Sequence, residues 1–282
     1  MQLIYSKKDL QGLILKNRKK SQTIGFVPTM GALHDGHASL ISFALEKHPV
    51  VVVSIFVNPT QFNNATDLEK YPRTLEQDTQ FLSNFKDQVI IYAPSAQEVY
   101  GDSLESKAYN FGGLEHVMEG EHRPGHFDGV GTVLNLLFRQ FMPDEAFFGE
   151  KDYQQLLIVK KLVRIEKLDM KITGCPIHRQ PDGLAMSSRN KRLTSQQLKL
   201  APFIHESLQK AREQFKNKSA LQIGKIITQM YEQQEGLDLE YFEIANIKNL
   251  KPLSRKRNHQ KYRAFIAVFA GEIRLIDNIA LN

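Results

Sequence analysis

Pro28-Thr29-Met30-Gly31-Ala32-Leu33-His34-Asp35-Gly36-His37-Ala38-Ser39-Leu40 joins two apolar patterns of different period. Ahead of it, the short run Ile24 to Val27 reads as a buried strand. Behind it, Ala38 to Leu45 places its apolar residues on one helix face. The segment is therefore strand, glycine-punctuated loop and helix start. At such a junction backbone N–H groups are expected to point outward without partners, and the helix dipole favours an anion. Gly31 and Gly36 carry no side chain, so a bulky ligand can approach the backbone there. His34 and His37, three apart, share one side of the first turn and can donate to a single oxygen-rich group, while Asp35 points elsewhere. A metal site and a helix cap also fit an imidazole pair. No Cys or Glu-x-x-His partner set accompanies this one, and the zincin spacing is absent, so no metal ligand set is expected.

Working outward, strand-like and helix-like segments alternate. A helix pattern covers Lys7 to Lys16, and a valine-rich strand runs from Val50 to Val57. Pro72, at a first helical turn, opens a helix reaching about Phe85. Val89 to Tyr92 is a strand, Val130 to Phe141 a helix, Ala146 to Phe148 a strand and Lys151 to Leu168 a helix; Met170 to Gly174 closes the series. Apolar strands separated by amphipathic helices predict a parallel sheet covered on both faces, with ligands at the carboxyl ends of its strands. The unusual residues fall at those ends. His34 and His37 follow the first strand, Asn58-Pro59-Thr60-Gln61-Phe62 the second, and Gly149-Glu150-Lys151-Asp152-Tyr153-Gln154-Gln155 a later one. No Walker A pattern is present, and Gly129-x-Gly131 lacks the third glycine of a dinucleotide fingerprint.

Beyond the turn signal Gln180-Pro181-Asp182-Gly183-Leu184 the pattern changes. Helices are expected at Gln196 to Phe215 and Ser219 to Glu232, then a strand at Leu237 to Ile244. Tyr262 to Val268 and Ile273 to Ile276 flank Ala270-Gly271-Glu272 as a hairpin. The expectation is an α/β N-terminal domain over 1–178 and a smaller α+β domain with a short antiparallel sheet over 179–282, bounded to within several residues.

Composition narrows the class. A chain of 282 residues that is 41% hydrophobic and 24% charged suits an ordinary globular protein with more than one domain. The best apolar run, Val50 to Val57, is far shorter than a membrane span, and Lys7, Lys8 and Asp9 stand where a signal peptide needs apolar residues. Cys175 is alone, which excludes a disulfide framework and suggests a reducing cytoplasm. The net charge of +6 suits anionic partners. The basic clusters Lys16-Asn17-Arg18-Lys19-Lys20 and Arg255-Lys256-Arg257 lack interleaved aromatics and read as solvated loops, so no nucleic acid is expected as a partner.

Taken together, Pro28 to His37, Phe56-Val57-Asn58-Pro59-Thr60-Gln61-Phe62, Tyr71-Pro72-Arg73, Arg123-Pro124-Gly125-His126-Phe127, Phe148 to Gln155 and Met186-Ser187-Ser188-Arg189-Asn190 resemble the pantothenate synthetase (pantoate–β-alanine ligase) family. The resemblance extends over nearly the whole chain in order and spacing. The His-x-Gly-His element alone would indicate only the wider nucleotidyltransferase superfamily. What the resemblance implies is a Rossmann-like first domain, a C-terminal lid domain, and ATP-dependent ligation of pantoate and β-alanine through a pantoyl adenylate. It further implies Mg2+, a cytoplasmic location and a homodimer.

The same resemblance suggests site roles. His34, His37 and Lys151 would serve the chemistry. Met30, Gly31, Ala32, Leu33, Asp35 and Gly36 would line the nucleotide with the two imidazoles, as would Gly149, Glu150, Asp152, His178, Met186, Ser187, Ser188 and Arg189. Gln61 and Gln155 carry neutral amides that can donate to pantoate oxygens without acting as nucleophiles. Met30 and Phe62 would wall the gem-dimethyl group, and Arg123 resembles an arginine near the phosphates. His178 departs from the small aliphatic residue usual at its position. Read singly, Lys151 and the two glutamines would be surface residues, and Ser187-Ser188-Arg189 an ordinary loop. A nucleotidyltransferase acting on another acid, or an RNA-binding protein using the fold without catalysis, are the competing readings.

Overall fold

Apolar runs too short to be helices build one parallel sheet. The computed structural model describes residues 1–62 and 65–282, and these divide into two compact units. The first comprises Met1–Glu150 and Gln154–Pro176, the second Lys151–Tyr153 and Ile177–Asn282.

In the first unit the elements follow as β1 (Gln2–Ile4), α1 (Lys7–Arg18), β2 (Ile24–Thr29), α2 (Asp35–Leu45), β3 (Val50–Ile55), α3 (Ala65–Glu69) and α4 (Leu75–Leu82). Then come β4 (Val89–Tyr92), α5 (Ala96–Tyr100), α6 (Glu119–His122), α7 (His126–Phe141), β5 (Glu145–Gly149), α8 (Tyr153–Ile165, its first residue in the second unit) and β6 (Lys171–Cys175). The strand order is β1-β4-β3-β2-β5-β6, with every pairing parallel. From β2 the chain builds outward through β3 and β4, then returns to lay β5 on the other side of β2. The order therefore reverses between β2 and β5, and that is where an open α/β sheet leaves a crevice.

Strand alternation sends neighbouring side chains to opposite faces. Phe26 meets Phe138 and Phe141 of α7 edge-on, at ring-centroid distances of 6.0 and 5.0 Å. Val27, Val51, Val53 and Ile91 pack on the other face with Ile41 and Ala44 of α2 and Leu82 of α4. Both faces are covered, as the unbroken valine run requires.

In the second unit α9 (Ser195–Leu200), α10 (Phe203–Phe215) and α11 (Ala220–Glu232) precede β7 (Asp238–Asn246), β8 (Tyr262–Ala270) and β9 (Ile273–Ala280). These strands form an antiparallel sheet in sequence order. Ile204, Leu208, Ile223 and Ile227 of the helices join Ala264, Ile266 and Val268 of β8 in one core. Capping boxes at Thr194/Gln197 and Ser219/Gln222 satisfy the first N–H groups of α9 and α11.

Several expected boundaries move. The helix expected from Pro72 begins at Leu75, with Thr74 at its N-cap, and the strand expected to reach Val57 ends at Ile55. The helix expected over Gln196 to Phe215 is two, parted at Ala201-Pro202, because proline has no N–H to continue the ladder. The helix expected from Val130 already starts at His126, and its early glycines are packing positions.

Candidate active site

The turn leaving β2 is held from beneath. Thr29 Oγ1 donates to the Ser54 carbonyl at 2.7 Å and accepts from Gly31 N at 3.2 Å. Gly31 and Ala32 both take positive φ, +82° and +51°, a conformation costly for alanine. Asp78 of α4, 2% exposed, holds them there. Its Oδ2 accepts from Ala32 N at 3.0 Å and from Thr74 Oγ1 at 3.2 Å, and its Oδ1 accepts from Leu33 N at 2.7 Å. A Cβ on Gly31 would stand 3.0 Å from that same Oδ2 and 3.2 Å from Ile55 Cγ2. This corrects the expectation that the loop's N–H groups face outward. Those of Ala32 and Leu33 turn inward onto a carboxylate of the protein itself.

The two imidazoles then stand at the start of α2. His34 is the N-cap, its Nδ1 accepting from Gly36 N at 3.1 Å. A backbone N–H can only donate, so Nδ1 carries the lone pair and the ring proton sits on Nε2. His37 lies in the first turn, its N–H donating to the His34 carbonyl at 2.8 Å. The rings are 4.1 Å apart between centroids and tilted by 40°. Asp35 opens the helix between them. The pair is thus both the helix cap foreseen as an alternative and two adjacent imidazoles at a dipole end that favours anions.

The loop after β3 lies against α7. Asn58, 1% exposed, donates through Nδ2 to the Gly129 carbonyl at 3.2 Å and to Gln61 Oε1 at 3.3 Å. Its Oδ1 accepts from Tyr100 OH at 2.6 Å and Thr60 Oγ1 at 3.2 Å. Gln61 Nε2 in turn donates to Met30 Sδ at 2.8 Å, which brings together two of the predicted residues. Phe62 stacks edge-on with Tyr71 at 5.6 Å. A Cβ on Gly129 would lie 2.3 Å from the Thr60 carbonyl oxygen, so α7 can approach this loop only through glycine. His126 Nδ1 is 2.8 Å from the Gln61 carbonyl and its Nε2 3.4 Å from Arg123 Nη1.

Gly149 ends β5 and Glu150 closes that stretch of the first unit. The two adjacent glutamines of α8 differ. Gln154 is buried and its amide is committed, donating to Leu114 O and Val117 O at 2.7 Å and accepting from Glu119 N at 3.1 Å. Gln155, the predicted substrate residue, is half-buried.

The remaining predicted residues belong to the second unit. Lys151 Nζ is 3.7 Å from Asp152 Oδ1, and the Lys151 carbonyl accepts from Asn278 Nδ2 at 2.8 Å. The His178 carbonyl takes the Met186 N–H at 3.0 Å while its side chain is exposed, so its backbone sets the loop. Ser187 Oγ accepts from Arg189 N at 3.3 Å, capping the short turn Ser188–Arg192. Lys151 and Ser187 line one small cavity with Asn190 and Asp277. Arg179 grips Asp277 with two N–H groups at 2.6 and 3.0 Å, and Asn190 ties the loop to the Ala185 carbonyl at 3.0 Å.

Sequence reasoning missed Asp78, Tyr100, Gly129 and the part played by His126. Asp78 left one signal, since it stands four residues before the buried Leu82 and so puts an acid on an apolar face.

Known proteins resemble the chain throughout. The family model described as pantoate–β-alanine ligase matches residues 2–280. A pantothenate synthetase from Flavobacterium psychrophilum is 52% identical over 261 residues, covering 93% of each chain. One from Christiangramia forsetii is 50% identical over 282 residues and covers both chains completely. Among solved structures, the pantothenate synthetase of Thermus thermophilus gives a TM-score of 0.91 at 36% identity, covering 100% of this chain and 99% of that one. The Francisella tularensis pantoate–β-alanine ligase, solved with β,γ-ATP and β-alanine, gives 0.82 at 38% identity over 100% and 98%. The chain belongs to the pantoate–β-alanine ligase family.

Proposed function

We propose that this enzyme joins pantoate to β-alanine in two steps at the residues described above. In the first, a pantoate carboxylate oxygen attacks the α-phosphorus of ATP. The P–O bond to the β-phosphate breaks, leaving pantoyl adenylate and pyrophosphate. In the second, the β-alanine amine attacks the acyl carbon, the bond to AMP breaks, and the amine loses a proton to give pantothenate. Phosphoryl transfer asks a protein mainly to position reactants and neutralise growing charge.

The observation that carries this reading is the imidazole pair, 4.1 Å apart and tilted, at the start of α2, which follows the strand beside the sheet's switch point. His34 donates to phosphate oxygen through Nε2–H, the proton that its capping role assigns to that nitrogen, and His37 acts beside it. Lys151 brings a mobile ammonium to the phosphates, and Ser187, Ser188 and Arg189 add hydroxyl, backbone and guanidinium donors. Asp152 holds the ribose hydroxyls, and Gly149 lets the sugar near the backbone. Gln61 and Gln155 donate to pantoate oxygens, with Met30 and Phe62 against its methyl groups.

Magnesium enters this proposal with the nucleotide. Among the described residues no group of three or more His, Cys, Asp or Glu side chains could hold a metal. An ion carried in on phosphate oxygens and water needs no such protein cage. Bound so, it would offset phosphate charge; the steps above are assigned to the chain's own residues. A homodimer in the cytoplasm completes the proposal, the location in keeping with the lone, buried Cys175 thiol.

A coupled AMP-release assay with pantoate, β-alanine and ATP, omitting each in turn, tests the reading. AMP should appear only with all three, and pyrophosphate exchange only with pantoate among a panel of acids. Exchange supported by a different acid would overturn it.

A further inference from the structure

We propose that His126 is a positioning residue that fixes Gln61 and Arg123 relative to each other, an inference resting on the role proposed above for Gln61 and on the resemblance of Arg123 to an arginine near the phosphates. His126 is 7% exposed and opens α7 directly after Gly125, whose φ is +78°. The chemistry of its neighbours leaves the ring one state. The Gln61 carbonyl, 2.8 Å from Nδ1, can only accept, so Nδ1 carries a proton. The Arg123 guanidinium, 3.4 Å from Nε2, can only donate, so Nε2 carries a lone pair. His126 is therefore the neutral Nδ1–H tautomer, occupied at both ends. One ring ties the backbone of the substrate loop to a guanidinium three residues upstream.

A second grip from the same helix turn settles which end of the Gln61 amide is presented. The Gly129 carbonyl accepts from Asn58, so the amide atom facing it is Nδ2. That Nδ2 also donates to Gln61 Oε1, which leaves Gln61 Nε2 as the donor end on the Met30 side. The first turn of α7 thus holds Gln61 twice, its backbone through His126 and its amide through Gly129 and Asn58. A donor held this way selects a ligand oxygen, carboxylate or hydroxyl, over an amine.

The test compares His126→Asn, whose amide can still donate to the Gln61 carbonyl but cannot reach Arg123, with His126→Ala, which does neither. The full-length enzyme is used, with KM for pantoate and ATP measured separately. We expect His126→Ala to raise the pantoate KM by about tenfold, the scale of one buried hydrogen bond lost from a substrate-holding loop. His126→Asn should return it to within about threefold of wild type. Both should raise the ATP KM alike, and adding Arg123→Ala to His126→Asn should raise it no further than Arg123→Ala alone. Equal pantoate KM values in the two variants, or fully multiplicative ATP effects, would overturn the proposal. If His126→Ala does not fold, His126→Phe fills the space without either nitrogen and takes its place. A wild-type enzyme that released no AMP with pantoate would instead refute the function itself.

Discussion

Replacing Asp78 should loosen the turn after β2 more than any other single change in α4. The carboxylate is 2% exposed and accepts two successive backbone N–H groups, at 3.0 and 2.7 Å. In Asp78→Ala both donors stay buried without a partner, at about 1–3 kcal/mol each, or about 2–6 kcal/mol together. In Asp78→Asn the amide oxygen can serve one N–H, but its NH2 then faces the other, so about 1–3 kcal/mol is lost. Ala32, at φ +51°, then has less to hold it left-handed, and the turn relaxes. His34 follows two residues later, so its Nε2–H shifts with the turn, and a displacement near 1 Å costs on the order of a hundredfold in rate. Urea unfolding should place both variants below wild type, alanine lower, and pantoate-dependent pyrophosphate exchange should fall in the same order. If Asp78→Ala unfolded with wild type and exchanged at the wild-type rate, the carboxylate would not be what holds the turn.

Three further outcomes follow from other residues. Replacing His34 or His37 by Ala should slow adenylation by roughly a hundredfold or more, the scale of a lost transition-state donor; near-normal exchange in both variants would refute their roles. Gly129→Ala should cut activity sharply, because its methyl group would sit 2.3 Å from the Thr60 carbonyl and push the loop carrying Gln61 away; unchanged kinetics would refute the contact. The hydrogen bond from Lys107, with Arg139 and Tyr109 assisting, outweighs burial and holds the Glu166 carboxyl down at about 2 instead of 4.5. A depressed carboxyl stabilises the fold above its unfolded value, and the gain fades as pH falls from about 4.5 toward 2. Urea midpoints of wild type and Glu166→Gln should therefore differ at neutral pH and converge across that window. A gap that persisted at its acid end would refute the linkage.

How much of this could be read beforehand depends on whether the cause was local. The alternation of short apolar runs with amphipathic segments is local, and it announced the parallel sheet, the later antiparallel sheet and the loops that carry His34, Gln61 and Lys151. The residues of α7 ahead of Val130 were not legible, because Gly129 argues against a helix on propensity. Its reason is distant: it meets the Thr60 backbone, as Gly131 within the expected helix meets the rings of Tyr109 and Phe111. The inward turn of the Ala32 and Leu33 N–H groups was hidden in the same way, since the carboxylate that takes them lies 46 and 45 residues away. The division of Gln196 to Phe215 has a local cause that the sequence does carry, Pro202. Residue type alone does not separate the adjacent Gln154 and Gln155; the family resemblance points to Gln155, and Gln154 is spent on three backbone groups.

The place of β2 between β3 and β5 also shapes how the chain is made. β3 follows soon after β2, but Asp144, whose carboxylate and N–H both bind Ile24 just ahead of β5, lies 120 residues downstream. During synthesis the half-sheet of β2, β3 and β4 can form while one backbone edge of β2 still waits for its neighbour. An uncovered central edge is an invitation to strand exchange with other nascent chains. Slowing or crowding translation in that interval should therefore raise the yield of aggregates far more than the same stress applied after β5 has emerged.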